Sequence, residues 1–228
     1  MTQDYLNYPT HLVAVDCIIF GFDGENIKIL LVQRNFEPQK GEWSLMGGFI
    51  GNEESSDQAV SRVLYTLTGL ENIYLEQLNS YTEINREPTA RIISISYYAL
   101  ISIEKNIQIN EKYKAKWFDL YDHPELIFDH NIMVKDAILR LRRRASTRPV
   151  GFELLAKKFT MKDLQNLYET IFNEKYDKRN FNSKINALGL LIKTNEKDMS
   201  SSKKGSFLYT FDEKKYNKKI SEGFMFRI

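Results

Sequence analysis

Apolar residues crowd the first quarter of the chain. LVAVDCIIFGF (12–22) and NIKILLVQR (26–34) read as strands, and Asp23-Gly24 between them is a strong hairpin signal. Gly47-Gly48 reads as a Gly-rich turn leading through GNEESSDQ into a helix from about Ser56 to Thr68. There Val60, Val63, Leu64 and Leu67 recur at helical spacing, and Gly69 follows as a C-terminal cap. Further strands are predicted at 74–83, 90–103 and 114–120, then a second helix from near Asp129 into RLRRRAS. STRPVG (146–151) breaks that helical period with Pro149 and Gly151 and reads as a linker.

Beyond the linker the pattern changes. Thr160 and Asp163 form a capping-box-like start to MKDLQNLYETIF, with Leu164, Leu167, Tyr168 and Ile171 on one face. After the turn NEKY, Asp177 is the expected N-cap of KRNFNSKINAL, in which Phe181, Ile185 and Leu188 point inward and Gly189 ends the helix. LLIKT and SFLYTF read as strands around the loop NEKDMSSSKKG. Helix, tight turn, helix, hairpin is the order of a winged helix-turn-helix. The expected organisation is α+β in two domains, 1–147 and 148–228, which suits a chain of 228 residues.

Charge sharpens this division. Residues 1–140 hold 12 basic and 20 acidic side chains, a net of −8, whereas 141–228 hold 20 and 10, a net of +10. The overall +2 therefore hides an acidic half beside a strongly basic one, as expected of a ligand module joined to a polyanion-binding module. No apolar run approaches a membrane span, and MTQDYLNYPT lacks the features of a signal peptide, so a cytoplasmic protein without membrane partners is expected. Cys17 is the sole cysteine. It forms no intrachain disulfide and reads as a buried strand thiol. With 3 histidines, no metal cluster is suggested.

The segment GGFIGNEESSDQAVSRVLYTLTGL (47–70) resembles the Nudix box, G-x5-E-x7-R-E-U-x-E-E-x-G-U, with U aliphatic. Registered on Gly48, Glu54 takes the first glutamate position, Arg62 the arginine, Leu64 the first aliphatic, Gly69 the glycine and Leu70 the last aliphatic. EWSLMGG (42–48) resembles the family's W-x-L-P-G-G approach, with Met46 in place of proline. The resemblance implies an N-terminal Nudix-like α/β/α sandwich with a mixed sheet. The family's three helix glutamates fall on Val63, Thr66 and Leu67. Their spacing would aim carboxylates from one helix face at a hard divalent cation, and these three residues supply none. No catalytic residue, bound metal or cofactor is expected. In the family, the residue at the Glu54 position braces the loop against the one at Arg62. The rival is an unusual hydrolase that draws on Glu53, Glu54 and Asp57, and a third reading is a winged-helix scaffold for a protein partner.

A degenerate Nudix domain followed by a winged helix resembles the Nudix-related transcriptional regulators. CIIFGF (17–22), QRNFEPQKGEWSLMGGF (33–49), LIFDH (126–130), RPVGFELL (148–155) and DKRNF (177–181) look most like the branch that includes arabinose-responsive repressors of Bacteroidetes. That resemblance implies a homodimeric repressor on double-stranded operator DNA, relieved by a small-molecule effector, with L-arabinose or another pentose expected. The alternative effector is ADP-ribose, as in the branch that controls NAD metabolism. A diphosphate wants cations or free N–H groups. A pentose wants neutral and acidic groups in a small pocket. The net-acidic first half and the missing metal seat favour the sugar.

Candidate effector residues are Arg34, Trp43, Glu83, Arg91, Asp129 and His130. Each also has an ordinary role: Arg34 pairing with Glu37, Trp43 packing in the core, Asp129 capping the second helix, and His130 packing or facing solvent. Glu83 and Arg91 flank the loop INREPT, a candidate lid or dimer contact. For DNA, the first turn and a half of the second winged-helix helix carries Lys178, Arg179, Asn180, Asn182 and Lys184. Arginine and asparagine suit base edges, while lysine suits phosphates. Lys203 and Lys204 mark the expected wing, and Arg142, Arg143 and Arg144 are further candidates for phosphate contact.

Overall fold

The computed structural model describes residues 7–71, 73–103, 114–200 and 204–226, without the side chains of 152 and 153. Strands β1 (Leu12–Phe22) and β2 (Ile27–Gln33) form the expected hairpin, pairing Phe22 with Ile27. Asp23 turns the corner, its Oδ1 accepting the N–H groups of Glu25 and Asn26 at 2.9 and 2.7 Å. Short strands β3 (Trp43–Ser44) and β4 (Met46–Phe49) precede helix α1 (Ser56–Thr68). Then come β5 (Glu76–Tyr81), β6 (Ile92–Ser102), β7 (Lys116–Asp119) and helix α2 (His130–Thr147). β1 lies parallel to β6 and antiparallel to β2 and β4, making the sheet mixed.

Both faces of this sheet are covered, which explains the unbroken apolar runs. Val15, Cys17 and Ile19 point toward Ala59, Val60, Val63 and Leu64 of α1. Ile18, Phe20 and Phe22 point the other way, into a cluster with Met133, Val134, Ala137 and Leu141 of α2. Cys17 is fully buried, and burial, reinforced by Asp16, pushes its thiol well above the usual range. α1 begins with a capping box between Ser55 and Gln58 and ends at left-handed Gly69.

Gly47 and Gly48 form no turn. They lie inside β4, opposite Asp16 and Val15. A Cβ on Gly47 would collide with Asp16 Oδ1, and one on Gly48 would stand 2.8 Å from Val63 Cγ2. Glycine is required here by close approach within a strand.

The expected linker is also structured. α2 continues through Thr147, Pro149 and Val150 are buried, and a short helix α3 (Gly151–Leu154) follows. α4 (Met161–Phe172) opens with the Thr160–Asp163 capping box, and α5 (Lys178–Leu188) runs from the Asp177 cap to left-handed Gly189. β8 (Leu191–Asp198) and β9 (Ser206–Phe211) form the wing. A basic helix α6 (Glu213–Ser221), unforeseen in the sequence, completes the described chain. Leu164, Leu167, Tyr168, Ile171, Phe181 and Ile185 form the winged-helix core, which is continuous with the apolar cluster under α2. The fold is therefore a mixed-sheet α/β/α sandwich followed by a winged helix. Among the described residues no helix is long and apolar enough to cross a membrane.

Candidate functional site

A cleft of about 230 Å³ opens where β1, β2 and β4 meet the start of α2. Its floor is a buried polar cluster. Asp16 interrupts the apolar run of β1, and its Oδ2 accepts the Ser94 hydroxyl at 2.5 Å. Arg86, from the loop between β5 and β6, has a side chain only 4% exposed. Its Nε and Nη2 fork onto the Asp129 carboxylate at 2.9 and 2.7 Å, and Nη2 lies 3.8 Å from Asp16 Oδ2. Such a bidentate pair fixes the guanidinium plane. Nη1 makes no hydrogen bond among the described residues.

His130, the first residue of α2, shares this floor. Its Nδ1 accepts the Leu45 N–H at 3.2 Å, and Nε2 lies 3.7 Å from Asp16 Oδ1. Nδ1 is therefore unprotonated and the neutral ring carries its proton on Nε2, toward Asp16. Burial, opposed by Asp16 and Asp129, lowers its affinity for a second proton.

Arg34 lines the cleft just beyond the end of β2. Its guanidinium carbon lies 3.9 Å from the ring centre of Phe36 and 5.3 Å from that of Phe128, while Nε donates to the Phe36 carbonyl at 3.1 Å. No ion pair joins it to Glu37 among the described residues, so its Nη groups remain available to a ligand. Glu87, Phe49 and Leu67 also contribute to the lining.

Of the six candidate effector residues, the fold thus brings Arg34 and His130 to the cleft. Asp129 stands behind it. It occupies the N-cap position of α2 but makes no side-chain cap, because its carboxylate is engaged by Arg86. Trp43 packs edge-on against Phe118, with centroids 4.7 Å apart, and does not line the cleft. Arg91 closes the base of its loop by donating to the Thr82 carbonyl at 2.7 Å, and Glu83 is exposed. Arg86, at the centre of INREPT, and not the flanking candidates Glu83 and Arg91, reaches the cleft. Asp16, a lone acid inside an apolar strand, was the overlooked signal.

On α1, Glu54 braces its loop in the expected way. It accepts Arg62 Nε at 2.9 Å, Arg62 Nη2 at 2.5 Å and the Gly51 N–H at 2.7 Å. These bonds to Arg62 and Gly51 hold its carboxyl pKa down to about 2. At the three glutamate positions, Val63 is buried, Thr66 is exposed and Leu67 faces the cleft.

The second site lies on α5. Lys178, Arg179, Asn180 and Lys184 are exposed and have no ion-pair partner among the described residues, while Phe181 and Ile185 face the core. Asn182 is set apart from the other four: it is half-buried, and its Oδ1 lacks a protein partner. The turn before α5 is stapled by Glu169, which accepts Lys175 Nζ at 2.8 Å and the Tyr176 N–H at 3.1 Å. On the wing, Lys204 is exposed and Lys203 lies outside the described residues. Lys193 Nζ sits 3.4 Å from the Phe207 ring centre, adding a cation that the sequence reading missed. Arg142 and Arg144 are committed to contacts within the protein, and only Arg143 of that run is exposed.

Comparison with known proteins places both halves. A NUDIX domain matches residues 10–136, and an NrtR DNA-binding winged helix domain matches residues 151–211. The chain is 31% identical over 216 residues to an ADPR responsive transcriptional repressor, NtrR, of Acinetobacter baylyi, covering 92% of this chain and 86% of that one. Shewanella oneidensis NrtR in complex with a 27mer DNA superimposes with a TM-score of 0.77 at 30% identity, covering 94% of this chain and 97% of that one. The NUDIX domain of the same protein in complex with ADP ribose gives 0.53 at 35% identity, covering 62% and 99%.

These likenesses overturn the expectation of a pentose effector and of the arabinose-responsive branch. The repressor matched over nearly its whole length is named for ADPR, and the matched sensor domain was solved with ADP ribose. The net charge of residues 1–140 misled because it averages over an entire surface, whereas in the cleft itself two arginines stand beside two acids, Asp16 and Glu87. The chain belongs to the NrtR-type Nudix-related transcriptional regulators, in which a NUDIX domain precedes an NrtR winged helix.

Proposed function

We propose that the protein is an ADP-ribose-responsive repressor of genes of NAD metabolism that binds operator DNA as a homodimer through α5 and the wing. One juxtaposition carries the effector reading: Arg34 and Arg86 line a single cleft with unused guanidinium N–H groups, beside aromatic rings and a Cβ-free strand. The guanidinium groups suit a diphosphate, and Phe36 and Phe128 offer stacking faces for a base. At about 230 Å³ the cleft is smaller than the roughly 300–1,000 Å³ that encloses a drug-sized ligand, so part of the nucleotide extends into the mouth. Val63, Thr66 and Leu67 supply no carboxylate to activate water, so binding there proceeds without turnover.

On DNA, the uncompensated cations of α5 enter the major groove, Arg179 and Asn180 reading base edges and Lys178 and Lys184 meeting phosphates. Asn182, half-buried on the same helix, and Lys204 on the wing complete the contacts of this reading, with Lys203 a phosphate contact by its place in the sequence. Bound ADP-ribose lowers the affinity for the operator. Fluorescence anisotropy on DNA from the adjoining promoter, titrated with ADP-ribose, tests both halves together. Specific, salt-sensitive binding that weakens with ADP-ribose is expected; binding to that DNA unaffected by the ligand, or no binding at all, overturns the proposal.

A further inference from the structure

The cleft and the winged helix are joined by one continuous helix with a directional contact at its far end. Asp129 and His130, at the start of α2, form part of the cleft floor or its support. Further along the same helix, Arg142 Nε donates to the carbonyl of Ile171 at 3.0 Å. The Tyr121 hydroxyl, from just beyond β7, donates to that same carbonyl at 2.8 Å, and Arg142 Nη2 reaches the Tyr121 hydroxyl at 3.3 Å. Ile171 belongs to the last turn of α4, where carbonyls have no helical partner and cations are favoured. α4 leads through the Glu169-stapled turn directly into α5.

Apolar contact alone would not set the register between the two units. Leu141 and Ala145 share a cluster with Leu164, Leu167 and Ile171, but such contact is non-directional and permits sliding. The two hydrogen bonds to the Ile171 carbonyl, tied together by the one between Arg142 and Tyr121, specify one arrangement. At the other end, an anion drawn to Arg86 Nη1 pulls on the forked pair with Asp129, and so on the beginning of α2. A helix of 18 residues spans about 27 Å and transmits a displacement of its start rather than absorbing it.

We infer that Arg142 and Tyr121 are positioning residues that couple the effector cleft to the DNA-binding helix, by clamping α2 and the β7 end onto the last turn of α4. This rests on the effector reading above and adds to it the route by which occupancy of the cleft changes DNA affinity.

The test uses the full chain, with Tyr121→Phe, Arg142→Met and the double variant. Calorimetry with ADP-ribose and anisotropy with promoter DNA give each affinity alone; anisotropy with saturating ADP-ribose gives the coupling. In the wild type, ADP-ribose is expected to change the DNA dissociation constant within roughly the 5- to 150-fold range of allosteric proteins. In the double variant that ratio is expected to fall below about twofold, with each separate affinity held within about threefold. Tyr121→Phe, which deletes only a hydroxyl, gives an intermediate ratio and guards against misfolding of the double variant. Arg142→Lys retains a cation at the clamp and restores part of the coupling. A double variant with the wild-type ratio overturns the inference, as does one that loses ADP-ribose binding itself, since the residues would then be supporting the cleft. A wild type that binds ADP-ribose with unchanged DNA affinity overturns the functional reading instead, and leaves the clamp no signal to carry.

Discussion

In the proposed effector reading, Arg34 is a side chain prepared in advance for the ligand. Two aromatic rings hold its guanidinium and a backbone carbonyl occupies Nε, so little rotamer entropy remains to be lost on binding. Charge-assisted hydrogen bonds contribute about 1.5–3 kcal/mol, and 1.4 kcal/mol is a factor of ten. Arg34→Ala should therefore weaken ADP-ribose binding by roughly ten- to a hundredfold in calorimetry, with ligand-free DNA affinity unchanged. Arg86 gives a less clean substitution, because its removal strands Asp129 as a poorly solvated, unpaired carboxylate. His130 provides a pH signature. Its folded-state pKa lies below the usual 6.5, so the neutral form is favoured in the native protein. Its contribution to stability is complete above that unfolded value and is lost as pH falls below it. Thermal melting followed from pH 7.5 down to about 5.5 should show this decline, and His130→Gln should flatten it.

At the scale of elements, α1 retains the Nudix architecture while its working face has been altered. The loop brace between Glu54 and Arg62 was implied by the resemblance to the Nudix box, because both residues keep their places relative to Gly48 and Gly69. Helical periodicity and two of the caps were readable as well: Thr160 and Asp177 each accept the backbone N–H expected of an N-cap. Strand β4 was misread because Gly-Gly is locally a turn signal. Only the neighbouring Asp16 and Val63, distant in sequence, show why no side chain fits there. Val63 is 4% exposed and packs at Gly48, so restoring the family's glutamate there would bury a carboxylate in an apolar layer. Val63→Glu should cost several kcal/mol in urea unfolding without conferring magnesium-dependent cleavage of ADP-ribose, followed by AMP release. A stable variant with turnover would show that the face needs only one carboxylate.

For the molecule as a whole, the division of charge becomes a division of labour. Lys178, Arg179 and Lys184 project from α5 without acidic partners among the described residues, so they are available to release counterions from DNA. Arg179→Ala should cost about 1–3 kcal/mol of operator affinity and blunt discrimination against non-specific sequence. Lys184→Ala should weaken all sequences alike and reduce the slope of log affinity against log salt by about 1. Anisotropy at several salt concentrations separates the two, and equal losses on specific and random DNA for Arg179→Ala would remove it from base readout. The sequence by itself determined both halves, most of their helices and strands and the degenerate box, because periodicity, caps and motif spacing are local properties of the chain; it did not show α3, α6 or the strand at Gly47-Gly48. It did not determine the effector or the floor of the cleft. Asp16, Arg86 and Asp129 lie far apart along the chain, and their meeting depends on a loop folding over a sheet and on the exclusion of water around two acids and a guanidinium. The same holds for Arg142: its address reads as a solvent-facing basic run, and only packing turns it inward to the end of another helix.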